Sequence, residues 1–304
     1  MLENSSGGDN SQIISIESTI KDSSVSLLAN VLYKRVGNRP LHLHLLVPNE
    51  AKDPLPLICW IQGCAFGAFG PQDTFLRLPD LVQLAKNGYV VASIEHRLSH
   101  EAVFPAQIED VKAAVQFLKE HAEEYSIDPN RVGAWGNSSG GYMVAFLGAS
   151  AHIREFDLDQ ADQSLNSSIH AVVDWYGPTD FLQMSKYPSS IDHDASNSPE
   201  SLFIGYPIQE HPELVQQANP ITYITEDTPP FLIMHGDQDD YVPYNQSELL
   251  FEALQQKGLN PIMYRVAGAG HGTGFGEDQL TIVQRFFAHH LSGISTYPQD
   301  KFPL

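Results

Sequence analysis

Cysteine is scarce: Cys59 and Cys64 are the only two in 304 residues. Two cysteines build no disulfide framework, and no Cys/His spacing matches a zinc site, so a metal site is not expected. Basic residues are also few. Lys plus Arg number 17 against 37 Asp plus Glu, a formal charge of −20. Such a surface repels phosphate, and no basic run interrupts it, which sets aside nucleic acid and anionic membranes as partners. Long apolar runs are missing as well. The longest are strand-sized, such as Leu55 to Ile61, far short of a membrane span. The opening MLENSSGGDNSQ has neither the basic n-region nor the apolar h-region of a Sec signal, so a cytoplasmic chain is the expectation. Hydrophobic residues at 42 % and charged residues at 18 % exclude a disordered chain.

What is present is a rhythm. LHLHLLV, from Leu41 to Val47, alternates strictly and reads as a half-buried strand, after β-rich stretches at Ile13 to Ile20 and Leu27 to Lys34. Leu55 to Gly63 is almost continuously apolar, as a strand covered on both faces must be. From there strands and helices alternate. Helices are expected at about Leu78 to Lys86, Pro105 to Tyr125, Pro243 to Lys257 and Glu277 to His290. Strands are expected at Tyr89 to Arg97, RVGAWG, IHAVVDWYG, FLIMHG and NPIMYRVAG. Alternation of this kind implies right-handed crossovers and a mostly parallel sheet, with the helix-free opening strands as an antiparallel edge. The expected organisation is one domain over 1–304. Residues 1–11 read as a loose tail, and the Pro-, Ser- and Asp-rich stretch 181–228 as a small lid.

The strongest local signal is Gly136-Asn137-Ser138-Ser139-Gly140-Gly141, which follows one strand and opens a helix. This is G-x-S-x-G in the strand–turn–helix setting that makes it chemical. The turn holds the Ser138 hydroxyl above the sheet, and the glycines let neighbouring backbone approach. Ser139 lacks the flanking glycine register. A serine hydroxyl needs a base, and the base needs an orienting acid; in this setting the chain order is Ser, acid, His. The acid belongs to His235-Gly236-Asp237-Gln238-Asp239-Asp240, at the end of an apolar strand, where three aspartates compete. His271, in Gly268-Ala269-Gly270-His271-Gly272, is the best-placed later histidine, since His289 and His290 sit late in a helix. His235 reads as packing and hydrogen bonding, and His193 as a solvated loop residue. Gln62-Gly63-Cys64-Ala65-Phe66 ends the central apolar strand with small residues that present backbone N–H groups. Cys64, Ala65 and Ser139 are the candidate oxyanion donors. Phe66, Tyr142, Trp175 and Tyr176 lie near strand ends and are candidates for lining an aromatic-tolerant pocket, with ordinary core packing as the alternative.

These segments together resemble the α/β-hydrolase superfamily, and more narrowly the bacterial feruloyl-esterase-like carboxylesterases. The matching stretches run from GYVVASIEHRLS through IDPNRVGAWGNSSGGYM, VVDWYGPTD and PPFLIMHGDQDDYVP to GAGHG. The resemblance places the acid on Asp239 and the base on His271. It implies an α/β-hydrolase fold, ester hydrolysis through an acyl-enzyme and no cofactor. Feruloyl or other hydroxycinnamoyl esters and short-chain acyl esters are the implied small-molecule substrates. The sequence departs at Gln62-Gly63-Cys64, where His-Gly-Gly is usual, and at Ser139, where Ala is commoner. Arg97 is expected to form a structural ion pair, with Asp110 as one candidate partner. Two alternatives stand beside this reading: a serine peptidase of the prolyl-oligopeptidase type, and a non-catalytic ligand-binding homologue.

Overall fold

A two-residue turn at Gly37-Asn38, with Gly37 at φ +58°, folds the chain into an antiparallel hairpin, and the rest of the sheet grows from its second strand. The computed structural model describes residues 24–49, 51–70, 72–157 and 166–294; the expected tail and the stretch Ile13 to Ile20 lie outside the described residues. In chain order the strands are β1 (Val25–Val36), β2 (Arg39–Pro48), β3 (Leu55–Ile61), β4 (Val90–Ile94), β5 (Ile127–Asn137), β6 (Ala171–Trp175), β7 (Phe231–Gly236) and β8 (Ile262–Val266). They lie in the order β1-β2-β4-β3-β5-β6-β7-β8. Pairing is antiparallel for β1–β2 and β2–β4 and parallel for the rest, as the helix-free opening strands predict.

The larger helices are α1 (Leu78–Lys86), α2 (Ala106–Glu120) and α3 (Ser139–Ser150). Three short ones follow in the 181–228 excursion: α4 (Phe181–Met184), α5 (Pro199–Ile204) and α6 (Pro212–Gln217). Then come α7 (Asn245–Gln256) and α8 (Glu277–Ser292). Successive strand residues point to opposite faces, and here both faces are dry. Leu57, Cys59 and Ile61 of β3 join α2, α3 and α7 in one core, while Ile58 and Trp60 join α1 and α8 in the other. The same parity holds in β7, where Phe231 and Ile233 face one core and Leu232 and Met234 the other. That double burial is why these strands read as unbroken apolar runs. Fully burying one such Leu or Ile side chain contributes roughly 1.5–3 kcal/mol.

Arg97 fastens α2 to the end of β4. Its backbone N–H and Nε both donate to Asp110 Oδ2 at 2.8 Å, and Asp110 has no solvent exposure. Asp174 interrupts the apolar run of β6. It is fully buried, its Oδ1 accepts from the Gly177 N–H at 2.9 Å, and Oδ2 has no partner among the described residues. Burial pushes its carboxyl up to about 7, with the Gly177 hydrogen bond pulling the other way. An unfolded aspartate titrates near about 3.9, so between the two values the folded state binds more protons and stability falls as pH rises. Asp174→Asn cannot ionise. Its melting temperature relative to the unsubstituted protein should therefore be higher at about pH 8 than at about pH 5, as read by calorimetry.

Candidate active site

Ser138 sits between β5 and α3 at φ 53° and ψ −128°, a left-handed conformation that costs a non-glycine residue of order 1–3 kcal/mol. The turn has no room for side chains on either flank. A Cβ at Gly136 would collide with the Gly140 carbonyl, and one at Gly140 with the Ile61 carbonyl. Ser138 N–H donates to the Trp175 carbonyl at 2.9 Å, which ties the strained residue to β6. The hydroxyl is thereby held at the top of the sheet, above the first turn of α3.

His271 comes from the loop between β8 and α8. Its Nε2 lies 2.9 Å from Ser138 Oγ and its Nδ1 2.8 Å from Asp239 Oδ2. A carboxylate only accepts, so Nδ1–H donates to Asp239 and Nε2 is free to accept from the serine hydroxyl. The imidazole is flanked by Tyr176, edge-on at 4.9 Å between ring centres, and by Tyr241 at 5.2 Å.

Asp239 has no side-chain exposure and is surrounded by donors. Oδ1 accepts from the N–H groups of Tyr241 and Val242, each at 2.9 Å. Oδ2 faces His271 and also His235 Nε2 at 3.3 Å. Burial alone would raise its pKa, but contact with His235 and His271 outweighs that and holds the carboxyl far below the usual range. The other two aspartates of the turn sit elsewhere. Asp237 binds the Gly268 N–H at 2.7 Å and the Arg265 guanidinium, and Asp240 offers its backbone carbonyl to Ser190. His235 is buried against Asp239, with Nδ1 2.7 Å from Ser247 Oγ and Nε2 2.9 Å from the Val242 carbonyl. It packs and hydrogen-bonds, as the sequence suggests, and the partner it fixes is the acid itself.

The loop after β3 crosses directly over Ser138. Gly63 N–H donates to Asn137 Oδ1 and Cys64 N–H to Ser139 Oγ, both at 2.9 Å. The expectation that Cys64 offers a free donor is therefore corrected: the hydroxyl that replaces the commoner Ala at 139 already occupies its amide. Ala65, at φ 49°, has no hydrogen-bond acceptor for its N–H among the described residues, and Ser139 N–H lies in the first turn of α3, where amides lack intrahelical acceptors. Burial pushes the Cys64 thiol up to about 11, so it is no ready nucleophile.

A cavity of about 760 Å³ opens above Ser138 and His271. Phe66 and Tyr176 line it. Tyr142 and Trp175 do not, which corrects their reading as pocket residues. Tyr142 is one turn into α3 and fully buried, its hydroxyl donating to the Ala218 carbonyl at 2.6 Å. Trp175 points to the opposite face of the sheet, edge-on to Trp135 at 4.9 Å. The reading of His193 as solvated is also corrected. It is 1 % exposed and lines the cavity beside Glu200. Ser198 caps α5 by accepting the Ser201 N–H at 3.0 Å, and Pro199 starts the helix, which sets Glu200 in its first turn. His193 Nδ1 then lies 3.1 Å from Glu200 Oε2, and Nε2 donates to the Tyr241 carbonyl at 3.0 Å. Among the described residues no group of three or more His, Cys, Asp or Glu side chains is arranged to hold a metal ion, and no helix is long and apolar enough to cross a membrane.

An eight-stranded, mostly parallel sheet with a serine at a strained strand–helix turn defines an α/β-hydrolase. The BD-FAE family model matches residues 43–254, and the chain belongs to that family. It is 31 % identical to the esterase LipC of Mycobacterium tuberculosis over 193 residues, 63 % of this chain and 47 % of LipC. It is 29 % identical to the probable carboxylic ester hydrolase LipM of the same organism, over 61 % of this chain and 42 % of LipM. The chain thus spans about half the length of the curated relatives it matches. Among solved structures, a truncated carbohydrate esterase from gut microbiota superposes with a TM-score of 0.77 at 32 % identity, covering 90 % of this chain and 98 % of its own. Esterase 2 of Thermogutta terrifontis shares the fold, with a TM-score of 0.69 at 20 % identity over 91 % of this chain and 96 % of its own.

The contact between His193 and Glu200 can be tested through its pH dependence. Burial lowers its pKa, but Glu200 raises it more, leaving it above the ordinary imidazole value. Stability from this pair is therefore fully present below about pH 6.5 and is lost as pH rises through the raised pKa. The melting-temperature gap between the unsubstituted protein and His193→Gln should be widest at about pH 5–6 and shrink in alkali, measured by thermal unfolding. A gap that grows with pH would show that the contact is not an ion pair.

Proposed function

We propose that this chain is a serine carboxylesterase that hydrolyses small esters through an acyl-enzyme. One observation carries the reading: Asp239, His271 and Ser138 form a single line of hydrogen bonds, 2.8 and 2.9 Å long, that ends at the mouth of a cavity. Ser138 Oγ attacks the ester carbonyl as its proton passes to His271 Nε2. Asp239 keeps the ring in the tautomer with Nδ1 protonated and stabilises the imidazolium. The amides of Ala65 and Ser139 receive the developing oxyanion, while the Gly63 and Cys64 amides fasten the loop that presents them. His271 then gives its proton to the leaving alcohol oxygen. Water repeats the sequence on the acyl-enzyme and frees the acid.

The named esterases among the relatives, and the carbohydrate esterase among the solved structures, support the reaction class. Short-chain acyl esters of a carbohydrate are the substrates we favour, in line with the solved structures named a carbohydrate esterase and an acetyl ester-xyloside hydrolase, with feruloyl and other hydroxycinnamoyl acids as the alternative acyl groups. No cofactor enters this scheme. Residues 181–228 act as the lid, since Ile191, His193, Pro199 and Glu200 face the cavity.

Ser138→Ala should lower kcat on p-nitrophenyl acetate by at least about 10³-fold, and Asp239→Asn by about 10⁴-fold with KM little changed. A fluorophosphonate probe should label Ser138 in the unsubstituted protein. Undiminished turnover in Ser138→Ala would reject the assignment, and absence of labelling would favour a non-catalytic binding protein.

A further inference from the structure

Ala65 and Phe66 both lie in the left-handed region, at φ 49° and φ 57°, and Gly67 follows at φ 95°. Residues other than glycine visit that region singly, so two in succession persist only where their surroundings hold them. The upstream hold is the Cys64 amide, tied to Ser139 Oγ at 2.9 Å. The downstream hold is Phe66, which is 1 % exposed and whose carbonyl accepts from the Ser99 N–H at 2.8 Å. Its ring stacks on Phe203, 4.3 Å between centres and 27° between planes. It also meets Tyr142 and Phe181 edge-on, at 5.4 and 5.9 Å.

Two of those three rings come from the 181–228 excursion. Phe181 opens α4, and Phe203 lies in α5 with no exposure. The carbonyl of Phe203 accepts from the Phe104 N–H at 2.8 Å, and Ser198 caps the start of its helix, so this ring is fixed through its own main chain. The peptide that carries the Ala65 N–H therefore lies between two anchors, one on the nucleophile helix and one on the excursion. Freeing the Phe66 ring would let residues 65 and 66 relax to negative φ, and that rotation turns the peptide planes of the loop. Phe203 does not line the cavity, so any effect it has on the reaction passes through Phe66.

We propose that Phe203 is a positioning residue for ester hydrolysis: by stacking on Phe66 it holds the oxyanion loop in its strained form and keeps the Ala65 amide aimed at the reacting carbonyl oxygen. The inference rests on the esterase reading above and deepens it. Charge on that oxygen develops in the transition state and not in the bound ester, so a misplaced amide lowers kcat and leaves KM alone.

The test uses p-nitrophenyl acetate. Phe203→Leu should lower kcat by at least about tenfold, a part of the roughly 10²- to 10³-fold that removal of a whole oxyanion donor costs. KM should stay within about twofold, and the acid limb of the pH profile of kcat/KM, which His271 sets, should not move. Phe66→Leu should behave alike. Both changes release the same anchor, so the double variant should match the slower single variant within about threefold. A second measurement needs no variant. The carbonyl carbon of 1,1,1-trifluoroacetone takes Ser138 Oγ, and its oxygen becomes the oxyanion as the serine proton passes to His271. Coupling between two sites is reciprocal, so this adduct should slow amide hydrogen exchange in residues 199–204 as well as in 63–67. Full kcat in a Phe203→Leu variant that circular dichroism shows to be folded overturns the proposal. A loss confined to KM, a shifted acid limb, or single losses that multiply in the double variant overturns it as well. Protection confined to residues 63–67 does the same, and decides the matter where Phe203→Leu does not fold. Turnover that depends on Ser138 but not on Phe203 leaves the esterase reading standing, whereas no Ser138-dependent turnover of any ester removes both.

Discussion

The Asp239 carboxylate carries its charge where no solvent reaches it, and a charge in that position persists only if donors replace the lost water. Four do: two backbone amides on Oδ1 and two imidazoles on Oδ2. Each of those donors is placed by a different part of the fold. The amides need the tight turn after β7, His235 needs the end of β7 itself, and His271 needs the loop after β8. The carboxylate therefore draws three segments together, and the ring it orients is aimed at Ser138. Removing His235 would cost more than a packing residue, because it would leave one carboxylate oxygen with a single donor.

Much of this was legible in the residues. The strained turn announces itself through G-x-S-x-G between an apolar strand and an apolar helix. The double-sided burial of β3 to β7 follows from runs that do not alternate, and the antiparallel edge from opening strands with no helix between them. His271 follows from chain order. Asp239 does not follow from its own neighbourhood, since Asp237 and Asp240 sit in the same turn. Only the resemblance separated them, and the geometry shows why a local view fails: what distinguishes Asp239 is the arrival of His271 from 32 residues away.

The misreadings have physical causes. Trp175 lies at a strand end, but its ring packs against Trp135 in the core on the α1 and α8 side, while Tyr176 lies past the end of β6, at φ 44°, and lines the cavity. Tyr142 sits one turn beyond Ser138 on the face of α3 that meets Ala218. His193 lies among Asp, Ser and Asn, a composition that reads as wet. Its burial comes from the 181–228 excursion settling on the acid turn, a contact between segments about 50 residues apart that no local pattern records. The occupied Cys64 amide is the same kind of case, since it depends on one hydroxyl at 139.

The excursion is attached to the acid turn in a particular way. Ser189 and Ser190 hydroxyls, the Ser190 amide and the His193 ring all reach main-chain oxygens of residues 240 and 241. Every amino acid supplies that same oxygen. Position 240 is thus free to drift between homologues, or to be randomised in a library, without the roof coming loose. Diversity there would change an exposed side chain one residue away from the cavity-lining Tyr241 while the attachment of residues 181–228 stays where it is.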